Sequence, residues 1–216
     1  MSDVTNSNNI SRRYLDSLMI ETRYMNSTNP NLDFELFGEK FSSPIMTAAL
    51  SHLDHFMFKG ASAALAKGAK DSNSVLWYGM ADEEEIEQLV ATGARLIEII
   101  KPYSDRELIY KKIKHAEANN ALAVGIDIDH PFGEDGSIDV VDGYEMTAIT
   151  TEEMAEICKS TKLPVIAKGV LSLYDAKCCL DAGVSGLMLS HHNNRIESAL
   201  PPMAILPEIL KLVDGK

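Results

Sequence analysis

From residue 44 onward, short apolar runs of strand length alternate with longer stretches in which apolar residues recur at three- and four-residue spacing. The runs lie at 44–49, 75–78, 95–100, 121–128, 164–168 and 186–190, and the amphipathic stretches at 56–70, 82–92, 105–119, 152–160, 174–182 and 203–213. Spacers of helix length between strands, with no antiparallel turn signal between them, are what right-handed crossovers in a parallel sheet require. The pattern therefore predicts about six βα units, a parallel sheet covered by helices. Helix starts are marked by capping pairs, Asp82 with Glu85, Ser104 with Glu107, Thr150 with Glu153 and Ser172 with Asp175, and two helix ends by Gly93 and Gly183.

The first 43 residues read differently. Residues 1 to about 10, rich in Asn and Ser, predict a weakly ordered lead; 12–25 has helical spacing, 26–31 breaks it, and 34–41 alternates as a small hairpin. The expected organisation is an N-terminal helix-and-hairpin prologue, 1–43, followed by a β/α body, 44–216. Two architectures compete for that body, a doubly wound open sheet and a (β/α)8 TIM-type barrel. The first strand is followed by Ala48-Ala49-Leu50-Ser51-His52 and not by a glycine-rich dinucleotide fingerprint, so the barrel fits better. A full barrel takes eight units and roughly 250 residues, so six units imply a partial barrel or a piece of a longer chain.

Composition narrows the function classes. Of 216 residues, 45% are hydrophobic and 24% charged, which suits a globular protein, and no apolar run approaches the roughly 20 residues of a membrane span. A net charge of -12 and the lack of a basic patch disfavour nucleic acid and anionic membrane as partners. The polar start lacks the basic and apolar regions of a signal peptide, and Cys158, Cys178 and Cys179 fit neither a disulfide framework nor a zinc site; a cytoplasmic location is expected.

Candidate chemistry gathers in 163–195. Lys168 closes one apolar run, and His192 with Arg195 three residues later follows the next. In a parallel sheet these would emerge side by side at the carboxyl edge, where α/β proteins place their active sites. Asp127 and Asp129 share a face of their strand. With Glu134 and Asp135 they raise a metal reading, against which scattered carboxylates on an acidic chain are more simply solvated; no metal is expected. Asp129 also reads as a cap for the turn to Pro131, and His52 and His55 as capping or packing residues.

The run Leu163-Pro164-Val165-Ile166-Ala167-Lys168-Gly169, followed by Ser190-His191-His192-Asn193-Asn194-Arg195, resembles the L-P-x-x-x-K-G and S-N-H-G-x-R motifs of the FMN-dependent α-hydroxy acid oxidases and dehydrogenases. The likeness extends through Arg23, Gly38, Ser43-Pro44-Ile45-Met46, Asp129-x-Pro131 and Asp175-Ala176. It implies FMN as cofactor and a small L-α-hydroxy acid of the lactate or glycolate type as substrate, oxidised to the 2-oxo acid. It further implies His192 as active-site base, Asp129 as its partner, Arg195 as the clamp for the substrate carboxylate, and Lys168, Ser190, Ala48 and Ala49 as flavin contacts. Such chemistry needs a base near neutrality and a guanidinium that fixes a carboxylate in two places.

The sequence departs from the family at several points. Ile99-Ile100-Lys101 stands where a Gln-x-Tyr pair is usual, which makes Lys101 a candidate substrate contact or an ion-pair partner for the aspartates. Leu76-Trp77-Tyr78 replaces a Ser-Ser-x pattern, Asp127 replaces a threonine, an arginine expected after Asp129 is missing, and neither the D-G-G-x-R-x-G phosphate segment nor the early active-site tyrosine is found. These departures leave a second expectation: an inactive or truncated relative that works as a binding or assembly protein. A barrel with open strand edges further implies that a stable form of this length is a homo-oligomer or a piece of a longer chain.

Overall fold

The structure, a computed structural model, describes residues 3–133 and 135–215; Glu134 lies outside the described residues. The element order is α1 (Ser7–Ser17), β1 (Phe34–Leu36), β2 (Glu39–Phe41), α2 (Leu53–Phe56), α3 (Ala61–Asp71), β3 (Val75–Gly79), α4 (Glu83–Ala91), β4 (Arg95–Ile100), α5 (Arg106–Ala118), β5 (Ala123–Asp127), β6 (Val140–Val141), β7 (Tyr144–Glu145), α6 (Thr151–Ser160), β8 (Val165–Val170), α7 (Leu173–Ala182), β9 (Gly186–Leu189) and α8 (Pro202–Val213). Five strands pair in the order β3-β4-β5-β8-β9, all parallel, and curl into a half-barrel.

Strand parity divides the apolar residues between two faces. On the outer face Leu76, Tyr78 and Leu96 pack against α3 and α4, and Ile100, Val124, Ile126 and Val165 against α5 and α6. On the concave face Trp77, Ile97, Ala123 and Ile166 form a third cluster, sealed by Phe41 of the hairpin β1–β2. Continuing the concave parity upward leads to Lys101, Asp127 and Lys168. Asp127 pairs with Lys168 across β5 and β8, and Ile100, just before Lys101, pairs with Ile126. One row of charged residues thus crosses the tips of three adjacent strands.

Gly169 shapes that edge. Its φ of +91° falls where the β8–β9 register shifts between Lys168 and Val170, and a Cβ there would lie 2.3 Å from Asp129 Cγ. Glycine alone adopts this backbone without strain and lets the carboxyl group of Asp129 lean across the strand.

Several elements differ from the sequence expectation. Residues 44–49 form no regular strand but run beside β3, where Thr47 supplies its hydroxyl oxygen to Trp77 N at 2.9 Å in place of a carbonyl, and Leu50 accepts from Gly79 N at 3.1 Å. The first helix is α1, capped by Asn6, so residues 7–10 of the expected loose lead are helical. The 56–70 helix divides at Gly60, φ +88°, where Asp54 accepts from Ser62 N at 2.8 Å and so caps α3. Asp105, not Ser104, caps α5, and the reciprocal capping box is present at Thr150 and Glu153. The short antiparallel pair β6–β7 lies inside the β5–α6 connection. Among the described residues no helix is long and apolar enough to cross a membrane.

Candidate active site

The charged row is buried. Asp127, 1% exposed, accepts from Lys101 Nζ at 2.8 Å on one oxygen and from Lys168 Nζ at 2.6 Å on the other. Burial alone would push the Asp127 carboxyl up; the ammonium groups of Lys168 and Lys101, with His192, overturn it and hold it down to about 2. For Lys101 the balance goes the other way: burial lowers its pKa more than Asp127 raises it. Both oxygens of Asp127 thus rest on ammonium groups, and Asp127, Asp129, His130 and His192 bring ligand atoms within 4.8 Å of one another.

Beside the row stands His192. Its Nδ1 lies 3.1 Å from Asp129 Oδ1 and 3.1 Å from Lys168 Nζ, with Asp127 Oδ1 at 3.9 Å. Nδ1 thus faces an acceptor, Asp129, and a donor, Lys168, at equal distance; with its proton on Nδ1 the ring donates to Asp129 and Nε2 carries the basic lone pair. The ring follows β9 on a loop in which His192, Asn193 and Asn194 all have positive φ. Such a run needs support: Ser190 Oγ accepts from His192 N at 2.8 Å, Asn194 Oδ1 from Ser7 N at 2.5 Å, Asn193 Oδ1 from Asn8 Nδ2 at 2.8 Å, and Ser11 Oγ bonds His191 Nε2 at 2.9 Å. Helix α1 therefore braces the histidine loop.

Arg195 approaches the same residues from the loop side. Its Nε donates to Asp129 O at 2.9 Å and its Nη2 to Asp139 Oδ2 at 2.6 Å and to Phe132 O, while Nη1 has no protein partner among the described residues. A cavity of about 750 Å³ adjoins it, lined by Asp129 and Arg195 on one side and by Ile128, Ile149, Leu171 and Ile196 on another. Ala48 and Ala49 lie beside β3, across the half-barrel from this group, and Ser190 lies under His192. The structure thus brings together Lys101, Lys168, Asp129, His192, Ser190 and Arg195.

Two members of the cluster were not singled out in the sequence. His130 bonds Asp139 Oδ2 through Nδ1 at 2.6 Å, and its Nε2 lies 2.8 Å from Lys101 Nζ and 3.4 Å from His192 Nε2. Burial, then the neighbouring Lys101, lowers the His130 pKa to about 4 against the pull of Asp139. Burial would raise the carboxyl of Asp139, but His130 and Arg195 hold it below its usual range. His130 was legible in principle, since it follows Asp129 at the same strand tip. Asp139 arrives from the β5–α6 connection and carries no local signal. Three cations, Lys101, Lys168 and Arg195, meet three carboxylates, Asp127, Asp129 and Asp139, so the two imidazoles sit in a cluster whose fixed charges cancel.

A parallel β/α half-barrel with a paired histidine, an arginine and buried lysines at its carboxyl edge defines a barrel-type protein with titratable side chains where such folds place their sites. Comparison with known proteins refines this: the model of the FMN-dependent dehydrogenase family matches residues 2–148 and 133–216, and the chain belongs to that family. It is similar to 4-hydroxymandelate oxidase of Amycolatopsis orientalis, 22% identical over 222 residues, 87% of this chain and 62% of that protein. It is also similar to glycolate oxidase 2 of Oryza sativa subsp. indica, 24% identical over 223 residues, 86% of this chain and 60% of that protein. A solved structure of mandelate oxidase superposes with a TM-score of 0.86 at 22% identity, over 99% of this chain and 68% of the other. The chain spans about three fifths of the length of these curated relatives.

Proposed function

We propose that this protein is an FMN-dependent oxidoreductase that converts a small L-α-hydroxy acid, of the lactate or glycolate type, to the 2-oxo acid. The observation that carries the reading is the Asp129–His192 pair, 3.1 Å apart, beside Arg195 and Lys168 at the carboxyl edge of the sheet, in a chain of the FMN-dependent dehydrogenase family. Lys101 and Lys168 are the ammonium groups that would stabilise a ring gaining electrons, within a cluster whose fixed charges otherwise cancel. FMN, when bound, supplies the two-electron acceptor.

The chain's own residues do the rest. His192, with its Nδ1 proton on Asp129, offers Nε2 to the substrate hydroxyl and takes its proton there. Arg195 is held by Asp129 O, Asp139 and Phe132 O through Nε and Nη2, so Nη1 alone is left for the substrate carboxylate, a one-nitrogen contact with little ordering cost in place of the two-place grip expected from the sequence. Lys101, expected as a substrate contact or an ion-pair partner, is buried between Asp127 and His130 and so acts on an anionic substrate through its charge, while Ser190 with the backbone at Ala48 and Ala49 completes the proposed cofactor contacts. The cavity beside Arg195 supplies room for the substrate side chain.

A homo-oligomer is part of the same proposal, supported by the extended segment after α1, where Met19 and Ile20 are at least 90% exposed. A cytoplasmic location is supported by the absence of cysteine pairing, all three thiols being free. The direct test is to titrate the purified protein with FMN, add L-lactate or glycolate, and assay the 2-oxo acid. Saturable FMN binding with product formed in proportion to holoprotein is expected; no product from any small hydroxy acid by a protein that binds FMN would overturn the reading.

A further inference from the structure

We propose that Asp139 is a positioning residue for Arg195: one of its carboxylate oxygens ties the guanidinium to the buried lysine row and so sets the affinity for a substrate carboxylate that Asp139 itself does not touch. This rests on the reading of Arg195 as the carboxylate clamp. A guanidinium has five N–H groups and nothing to accept with. Nε–H goes to Asp129 O at 2.9 Å, the two on Nη2 go to Asp139 Oδ2 at 2.6 Å and to Phe132 O, and the two on Nη1 remain. Of these three acceptors only Asp139 is charged, so its bond to Arg195 is the charge-assisted one.

The same oxygen has a second donor. His130 Nδ1 lies 2.6 Å from Asp139 Oδ2, and because a carboxylate only accepts, the proton of His130 is on Nδ1. Its single lone pair, on Nε2, is taken by Lys101 Nζ at 2.8 Å. Lys101 and Lys168 meet in turn on Asp127. In the line Lys168, Asp127, Lys101, His130, Asp139, Arg195 every donor and acceptor therefore follows from residue type, and each group has the capacity for the bonds it makes. The first four members are buried, so the guanidinium is anchored to the sheet and not only to its own loop. The backbone of Asp139 is placed independently of its side chain: Asp139 O accepts from Met146 N at 2.8 Å, and Phe132 pairs with Ile138 across the turn just before it. Loss of the carboxyl would act on Arg195 in two opposed ways, removing a counter-ion and removing the charged bond that fixes its plane. Asp127 and Asp129 still face the cluster, so part of the first effect is offset, and the loss of orientation decides.

The anchor is read first, on the chain without cofactor. Phenylglyoxal closes a ring across both terminal nitrogens of an arginine, and peptide mapping by mass spectrometry follows Arg195 alone. Arg195 should react slowly in the unaltered chain, about fivefold or more faster in Asp139→Ala, and slowly again in Asp139→Asn, whose amide oxygen accepts from both Arg195 and His130. Equal rates in the unaltered chain and in Asp139→Ala would overturn the proposal. The second readout is kinetic, on the FMN-loaded protein. Asp139→Ala should raise KM by about tenfold or more with kcat within about threefold, since the clamp holds substrate and transition state alike, and Asp139→Asn should bring KM back to within about threefold of the unaltered protein. A KM that falls in Asp139→Ala would mean that Asp139 only competes with the substrate for the guanidinium, and equal KM values in the two variants would reduce it to a charge; either result contradicts the role. A protein that oxidised no hydroxy acid would sink the proposed activity, and the labelling rates alone would still decide whether Asp139 holds Arg195.

Discussion

Asp127 is the residue on which the cluster depends most, because it is the shared acceptor of two buried ammonium groups. Removing one partner of a buried ion pair leaves an uncompensated charge in a medium that solvates it poorly. Asp127→Asn should accordingly cost about 3–5 kcal/mol in urea unfolding; a loss below about 1 kcal/mol would mean that the lysines find water or other partners. In the sequence, Lys168, His192 and Arg195 were legible because a strand pattern followed by a catalytic residue type predicts a position at the sheet edge. Lys101 and Asp127 stood out as departures from the family, and their joint position across adjacent strands follows from parallel register. His130 and Asp139 were missed for different reasons. The first sat between two residues that already had a reading, and the second reaches the site only through the folding of a connection with no periodicity.

At the scale of elements, β4 carries an unusual load. Glu98 lies on its outer face, 3% exposed, with one carboxyl oxygen that has no hydrogen-bond partner among the described residues. Burial pushes its pKa up to about 7, only partly opposed by Lys112 and His115. With a folded pKa above the unfolded one, Glu98 destabilises the fold only when it must ionise. Its contribution is most favourable below about pH 4.5 and is lost as pH rises toward and through 7. Glu98→Gln should thus leave stability near pH 4 almost unchanged and raise it at pH 8 by on the order of 3 kcal/mol. Denaturation curves at the two pH values check this, and an equal effect at both would contradict it. The strands from β3 to β9 were legible because fully buried parallel strands are nearly continuous apolar runs. The 44–49 run was legible as apolar but not as irregular, since the substitution of Thr47 Oγ1 for a carbonyl is a tertiary event. Likewise α1 was displaced: Asn6 and Ser7 read as disorder by composition, yet Ser7 is buried and bonded to Asn194 and Ile196.

At the scale of the molecule, β9 is an edge strand of the sheet among the described residues, and apolar side chains such as Met19, Ile20 and Met25 are exposed in the segment that follows α1. Edges and patches of this kind favour pairing with another copy. Sedimentation of the purified chain at micromolar concentration should show a dimer or larger species, and replacing Ile20 and Met25 by serine should shift it toward monomer; a monodisperse monomer of the unaltered chain would contradict the homo-oligomer. The parallel β/α order followed from periodicity alone, and the barrel-type curl from the missing dinucleotide fingerprint together with the family motifs. The bracing of the histidine loop by α1 was not legible, because it joins residues more than 180 positions apart.

The central claim is that the Asp129–His192 pair, with Arg195 and Lys168, oxidises a hydroxy acid at the expense of FMN. The most direct measurement is the visible flavin absorbance of the FMN-loaded protein under anaerobic conditions, before and after L-lactate or glycolate is added. The account predicts a yellow protein that the substrate bleaches, with bleaching slowed by about a hundredfold or more in His192→Ala. A yellow protein whose spectrum no small α-hydroxy acid changes, or one that bleaches at an unaltered rate without His192, would contradict it.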